Sequence, residues 1–491
     1  MNARTNSDIA AAPWAGRIYG AGWQTANGGT VEVREPATGD LLATIGLADA
    51  EDVDRAARTA ATAQPAWAAT PFDQRAAVLR RAEQLLAERA DEFQHWNVRE
   101  AGSIGPKAGW ELQATREQLS MCAALPMQPI GQIFPSSMPG RTNHWRRVPI
   151  GTVGVIAPWN FPLLLAMRSV APALALGNAV ILKPDVQTPV IGGALIAQLF
   201  ADAGLPEGVL QMLPGGPATG DALVRHPLVD MISFTGSTAV GRSIGSTCGQ
   251  MLKKCILELG GNNALVVLED ADLDAASSSG AWGAFLHQGQ ICMQAGRHLV
   301  HRSVADRYAQ LLSARAQALH VGNPHAGPAH LGPLINDRQA ERVQGMVDDA
   351  VRSGAQLVTG GRREGRYYWP TVLTGVRPTM SAFTDEIFGP VAPITVFDTD
   401  EEAVALVNSS HYGLTAAVHT RNIPRGVSLA QRLKSGMVHV NDQTVNNEFH
   451  VPFGGMGASS NGGRFGGPAN LDEFTQTQWV SVMEAPITYP F

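Results

Sequence analysis

The stretch GTVGVIAPWNFPLLLAMRSVAPALALGNAVILKP, residues 151–184, decides the fold. An apolar run at Val153–Ala157 stops at the loop Pro158-Trp159-Asn160-Phe161-Pro162; a helix-like apolar segment follows, and a second run closes the unit at Ala179–Leu182. The same rhythm continues downstream, with apolar runs at Val209–Leu213, Met231–Phe234 and Cys255–Leu257. Between them lie TPVIGGALIAQLFADAG (188–204) and STAVGRSIGSTC (237–248), both of helical periodicity. Strands alternating with helices predict βαβ units and a parallel sheet, and such sheets bind ligands at the carboxyl ends of their strands. A second αβ rhythm runs from about Ala264 to Val440, with strand candidates ALVVL, HLVH, APITVF, TAAVHT and MVHV. Val148–Met167 carries no charge, but Pro149, Pro158, Asn160 and Pro162 interrupt it and Arg168 follows, so a strand, a loop and a helix entry explain it better than a membrane span.

Upstream, residues 1–50 form a short N-terminal layer with turn signals at Asn27-Gly28-Gly29 and Gly39-Asp40, and residues 51–125 are helical in pattern, as in DQRAAVLRRAEQLLAERADEF. The Pro- and Gly-rich excursion 126–148, ending in TNHWRR, suits an arm outside the main core. The tail 465–491 is turn-rich around the strand-like TQWVSVM. No internal repeat stands out.

At 491 residues the chain exceeds what one core usually holds, so two or three domains are expected. Hydrophobic residues make up 45% and charged residues 16%, which excludes disorder for most of the length and leaves much of the chain to be buried in cores or subunit contacts. Lys+Arg 37 against Asp+Glu 43 gives −6, and no basic run stands out, so nucleic acid and anionic membrane are poor partners. Cys122, Cys248, Cys255 and Cys292 form no C-x-x-C pair, no zinc spacing and no disulfide framework, which points to a reducing compartment. The start MNARTNSDIAAAPWAG lacks the apolar run of a secretion leader, so the expectation is a soluble, cytoplasmic protein without a metal.

Four segments carry chemistry. Cys292 ends His287-Gln288-Gly289-Gln290-Ile291-Cys292, a polar, glycine-flanked setting that suits a thiolate nucleophile; a buried free thiol reads equally well from this segment alone. Glu258 in Leu257-Glu258-Leu259-Gly260-Gly261-Asn262 ends an apolar strand, where partial burial would raise its pKa toward general-base range; the alternative is a solvated strand-end charge. Asn160, in a loop fixed by two prolines, offers an amide to a developing oxyanion, or is an ordinary turn residue. Phe234-Thr235-Gly236-Ser237-Thr238-Ala239-Val240-Gly241-Arg242-Ser243 nearly matches the P-loop of nucleotide triphosphatases, with Arg242 in place of lysine. Arginine does not replace that lysine, so a Gly-Ser turn receiving a pyrophosphate at a helix start is the preferred reading.

Together these segments resemble the NAD(P)-dependent aldehyde dehydrogenase superfamily. The matching pieces are PWNFP (158–162), ALGNAVILKP (175–184), FTGSTAVGR (234–242), LELGGNN (257–263), HQGQIC (287–292), EIFGPV (386–391) and PFGG (452–455), in family order over nearly the whole chain. The resemblance implies an α/β fold with a parallel-sheet cofactor domain (1–125 and 149–260), an α/β catalytic domain (261–464) and a β oligomerisation arm (126–148 and 465–491) that makes a homodimer or homotetramer. It implies that Cys292 attacks the aldehyde to give a thiohemiacetal, that Asn160 and the Cys292 N–H hold its oxyanion, and that Glu258 activates the water that hydrolyses the thioester. Lys183 would bind the adenosine ribose, Gly236 and Ser237 would lie beside the pyrophosphate with Trp159 and Gly241 completing the set, and Glu386 and Phe388 would meet the nicotinamide ribose and ring.

Two departures stand out. Many members carry a glutamate three residues after the lysine; here that position is Val186, which weakens the repulsion of a 2′-phosphate and adds NADP to NAD as a cofactor. Members often have a glutamate after Gly-Arg near the C-terminus; here Phe465 follows Gly463-Arg464, which leaves the base role on Glu258. The run from Met167 to Leu174, continuing to Asp185, is similar to the branch that oxidises benzaldehyde. By family position Phe161, Leu164, Met167, Met293 and Phe453 would line an apolar entrance, which favours an aromatic or other apolar aldehyde. Alternatives are an aliphatic aldehyde; a CoA-acylating relative, which usually lacks the glutamate found at 258; a non-catalytic relative; and a nucleotide hydrolase.

Overall fold

The computed structural model describes residues 12–491. The leader-free reading of the N-terminus rests mostly on residues 1–11, which lie outside the described residues. Two seven-stranded sheets carry the molecule. In the first, five parallel strands run in the order Lys254–Glu258, Met231–Thr235, Thr152–Ile156, Ala179–Lys183 and Leu210–Met212, and Arg17–Gly20 and Gly22–Thr25 extend it antiparallel. All five parallel strands fall on the apolar runs read from the sequence. Those runs lack polar alternation because helices cover both faces of a parallel sheet, and Ala179–Lys183 is buried throughout.

The strand order places the switch point of this doubly wound sheet between Thr152–Ile156 and Met231–Thr235: the chain moves one way from the central strand, then returns to its other side. A crevice opens at the carboxyl ends of strands that part in this way. The loops leaving these two strands are Pro158–Phe161 and Gly236-Ser237.

The second sheet has the order Gln356–Thr359, Thr371–Thr374, Val391–Phe397, Arg297–His301, Ala264–Val267, Thr415–His419, Met437–Val440, parallel except at its first pair. Its two outer strands at 356–374 were not anticipated; Gln356–Thr359 is a short edge strand whose apolar pair, Leu357-Val358, is exposed. The excursion and the tail meet in a third sheet, where Thr475–Met483 pairs antiparallel with Arg141–Pro149 over nine residues, and Gly131–Phe134 joins its far side. Four helices, Ala50–Ala69, Phe72–Glu88, Ala90–Ala101 and Gly105–Cys122, occupy the region read as helical. Among the described residues no helix is long and apolar enough to cross a membrane. Val148–Met167 is the expected strand, loop and helix start.

Candidate active site

Asn160 and Phe161 stand at the mouth of the switch-point crevice, just before the helix Pro162–Ala175. Proline at the first helical position suits the helix start, but Phe161 offers no capping side chain. The Glu111 carboxylate takes that role, accepting from the N–H groups of Leu163 and Leu164 at 3.0 and 3.1 Å. Asn160 is 4% exposed, and its Nδ2 donates to the Gln290 carbonyl at 2.9 Å. An amide nitrogen carries two hydrogens, so one N–H remains beside the Cys292 loop.

That loop is held in an unusual shape. His287 and Gln288 both have positive φ, 49° and 57°, followed by Gly289 at 68°. Two non-glycine residues in the left-handed region are costly, and tertiary bonds hold them there. Gln288 Nε2 donates to the carbonyls of Gly102 (3.2 Å) and Pro333 (2.8 Å), and Gln290 Oε1 accepts from Ile335 N–H (3.0 Å). Asn263 Nδ2 donates to the carbonyls of Cys292 (2.8 Å) and Gln294 (2.7 Å). A Cβ at Gly261 would stand 2.5 Å from the Cys292 carbonyl oxygen, so only glycine lets the two loops touch. The Cys292 backbone N–H makes no hydrogen bond among the described residues.

Cys292 is half-buried, at the edge of an apolar cluster. Burial pushes its thiol up to about 12; Arg168 pulls it down, while Glu386 and Glu258 push it further up. Glu258 ends its strand 3% exposed, and neither carboxylate oxygen has a hydrogen-bond partner among the described residues. Burial raises it to about 8, against the pull of Arg168 and Arg464. It is therefore not a solvated strand-end charge. Gly454 makes room for it, since a Cβ there would lie 2.8 Å from Glu258 Oε1.

Phe161, Leu164, Met293 and Phe453 pack into one apolar cluster with Ile291 and Leu414, and Cys292 borders it. Met167 does not join them. It is fully buried in the core beneath the first sheet, because the helix turns its 164/168 face to the cluster and 167 away from it. The residue one turn on from Leu164 is Arg168, which the sequence reading passed over. Its guanidinium stacks over the Phe453 ring at 4.2 Å and, among the described residues, has no carboxylate or carbonyl partner. A lone charge at i+4 from a pocket residue on an apolar helix was the available signal.

On the crevice side, Lys183 is buried and its ammonium has no hydrogen-bond or ion-pair partner among the described residues; burial lowers its pKa, against the pull of Asp185. Ser237 caps the helix Thr238–Gln250, accepting from Val240 N–H at 3.5 Å. Gly241 lies one turn inside that helix against the side chain of Leu259, so its part is to let the helix approach. The helix begins three residues before Gly241, leaving no loop to wrap a triphosphate, and Arg242 is exposed. The P-loop reading fails on that geometry. Glu386 Oε1 accepts from Gly261 N–H at 2.9 Å, and burial raises this carboxyl to about 7. Phe388, at φ 56°, meets Trp159 edge-on with ring centroids 5.6 Å apart.

Fold and site together define an enzyme with a thiol set between a doubly wound sheet and a second α/β unit. The chain belongs to the aldehyde dehydrogenase family, whose model matches residues 23–480. It is 58% identical over 478 residues to benzaldehyde dehydrogenase [NAD(+)] of Pseudomonas putida, covering 97% of this chain and 98% of that protein. Vanillin dehydrogenase of an Amycolatopsis species is 50% identical over 479 residues, covering 97% of this chain and 98% of that one. Among solved structures, salicylaldehyde dehydrogenase of Pseudomonas putida G7, complexed with salicylaldehyde, matches with a TM-score of 0.93 and 33% identity, covering 97% of this chain and 99% of that one.

Proposed function

We propose that this enzyme oxidises an aromatic aldehyde such as benzaldehyde to its carboxylic acid, with NAD as acceptor and Cys292 as the covalent nucleophile. The observation that carries the reading is the half-buried Cys292 bordering an apolar cluster of Phe161, Leu164, Met293 and Phe453, with the raised carboxyl of Glu258 close enough to act on its charge. Such walls bind a flat ring and offer little to a strongly hydrated substrate. The names of the similar proteins, which act on benzaldehyde, vanillin and salicylaldehyde, support the same substrate class.

In this reading the Cys292 thiolate adds to the carbonyl carbon; a C–S bond forms and the carbonyl electron pair moves to oxygen. The free N–H of Asn160 and the Cys292 backbone N–H are the donors for that oxyanion. The dinucleotide, when bound, supplies the hydride acceptor. Once the hydride has gone, the substrate is a thioester on Cys292. Glu258 takes a proton from water as its oxygen attacks that thioester, the C–S bond breaks, and the thiolate returns as the acid leaves.

The residues present fit a dinucleotide. Lys183 is a buried cation without a partner, suited to ribose hydroxyls, and Ser237 opens a helix N-terminus at the switch point, suited to a pyrophosphate. Gly236 sits beside it, Trp159 and Phe388 flank the inner end, and Glu386 is the hydroxyl acceptor there. Val186 supplies no carboxylate of its own against a 2′-phosphate, which leaves only Asp185 beside Lys183 and weakens the repulsion, so NADP serves as a second acceptor. The first sheet with the helices before it (1–125 and 149–260) acts as the cofactor domain and 261–464 as the catalytic domain. The arm, 126–148 and 465–491, exposes Ile133, Phe134, Trp479 and Val482, apolar surface suited to a homodimer or homotetramer. The four unpaired cysteines accord with the cytoplasm.

The test is kcat/KM for benzaldehyde beside a short aliphatic aldehyde, with NAD and then NADP. A clear preference for benzaldehyde is expected; preference for the aliphatic aldehyde would remove the aromatic assignment and leave the family membership standing.

A further inference from the structure

Helix Gly105–Cys122 carries a buried ion pair one turn apart, Lys107 Nζ to Glu111 Oε2 at 2.5 Å, with side chains 1% and 0% exposed. Burying two charges is expensive, and an apolar pair of similar volume is often as stable or more so. The remaining bonds of this pair converge on one loop. Lys107 donates to the Asn160 carbonyl at 2.9 Å and stands over the Phe161 ring at 4.3 Å. Glu111 Oε1 accepts from the N–H groups of Leu163 and Leu164. Asn97 closes the set, donating from Nδ2 to Glu111 Oε2 at 2.8 Å and accepting from Lys107 at 3.4 Å. The pair thus grips the backbone at the Asn160 carbonyl and at the helix start that follows it, with the aromatic wall of Phe161 between the two.

We infer that Lys107 and Glu111 are positioning residues that fix the Asn160 amide in register with Cys292. The inference rests on the reading of Asn160 as an oxyanion donor. A carbonyl held by a buried ammonium and a helix start held by a buried carboxylate leave the 160–161 peptide no freedom to rotate. The Asn160 side chain then keeps one N–H on the Gln290 carbonyl and the other toward the site of charge development. A displacement of about 1 Å in such a donor is enough to slow chemistry roughly a hundredfold.

The test separates positioning from stability. Lys107→Met and Glu111→Gln singly leave one member of the pair uncompensated, and each should lower Tm. The double variant Lys107→Met/Glu111→Met removes both charges and should recover Tm. Its burst of reduced cofactor should stay roughly tenfold to a hundredfold slower than that of the parent, at unchanged aldehyde KM and NAD Kd. Adding Asn160→Ala to it should cost far less than Asn160→Ala costs the parent, because both changes act through one group. A double variant whose burst recovers along with Tm would overturn the positioning role and leave Asn160 untouched. Should the double variant fail to fold, Glu111→Gln alone decides, and an unchanged burst rate overturns the proposal. Asn160→Ala with a full burst rate in the parent would instead remove the oxyanion reading, and the positioning role with it.

Discussion

Glu258→Gln, studied with the parent enzyme across pH, should separate the two chemical phases. The Glu258 carboxyl is raised to about 8, so about a tenth of it is ionised at pH 7 and about nine-tenths at pH 9. A base works only when deprotonated. The slow phase in the parent, thioester hydrolysis, should therefore rise about tenfold over that interval and then level off. The burst depends on the Cys292 thiolate, whose thiol is pushed up to about 12, so its rate should still be climbing where the slow phase has flattened. In Glu258→Gln the slow phase should fall by about 10² to 10⁴ and lose its inflection, while one equivalent of reduced cofactor per site is still released. The sign of a second effect follows from the same surroundings: a neutral amide in place of the Glu258 carboxylate removes a like charge that raises the Cys292 thiol, so the burst should not slow. Stopped-flow absorbance of reduced cofactor reads both phases, and mass spectrometry of quenched protein shows acylated Cys292. Burst and turnover lost together, in protein that is folded and still binds NAD, would refute the assignment. So would an inflection near 8 surviving in Glu258→Gln.

Met167→Ala should lower stability by about 2–5 kcal/mol in denaturant titration while leaving the benzaldehyde KM in place, because Met167 fills the core. Leu164→Ala should raise that KM about tenfold or more, and the opposite pattern would return Met167 to the pocket. Gly454→Ala puts a methyl 2.8 Å from Glu258 Oε1 and 2.6 Å from Arg464 Cδ, so the carboxyl must shift. Deacylation should slow roughly tenfold to a hundredfold with the burst intact, and full-speed turnover would show that Glu258 has room to spare.

The first sheet was legible because its strands are buried on both faces and read as unbroken apolar runs, bounded by the loops that become the site. The outer strand Gln356–Thr359 was not legible, since its apolar stretch is only the exposed pair Leu357-Val358 between polar neighbours. Met167 was misplaced for a related reason. Every residue of Pro162–Ala175 is buried, so the helix shows no polar stripe to tell its pocket face from its core face. Lys107 and Glu111 lie in a region legible only as helical, and tertiary contact alone shows them under Asn160. The left-handed pair His287-Gln288 gave little signal either: histidine visits that region more often than most residues but glutamine does not, and Gly102, Pro333 and Ile335 impose the conformation from a distance.

Burial poses the site a common problem at Cys292 and Glu258, since it favours the neutral form of each while the proposed mechanism needs both as anions. Arg168 is the shared counterweight, a buried guanidinium with no fixed anionic partner that lowers both groups at once. Arg464 adds to its pull on Glu258, but in the proposed mechanism Arg168 serves both groups because the anions are needed in turn. There the thiolate would be required while Glu258 waits, and once Cys292 was acylated its charge would be gone and the cation left for the carboxylate. Had Arg168 been paired with a resident aspartate, its charge would be spent before either step. Stacking on Phe453 instead of a salt bridge keeps it in place and uncommitted, and the aromatic wall that would receive the substrate ring is the same surface that holds the cation.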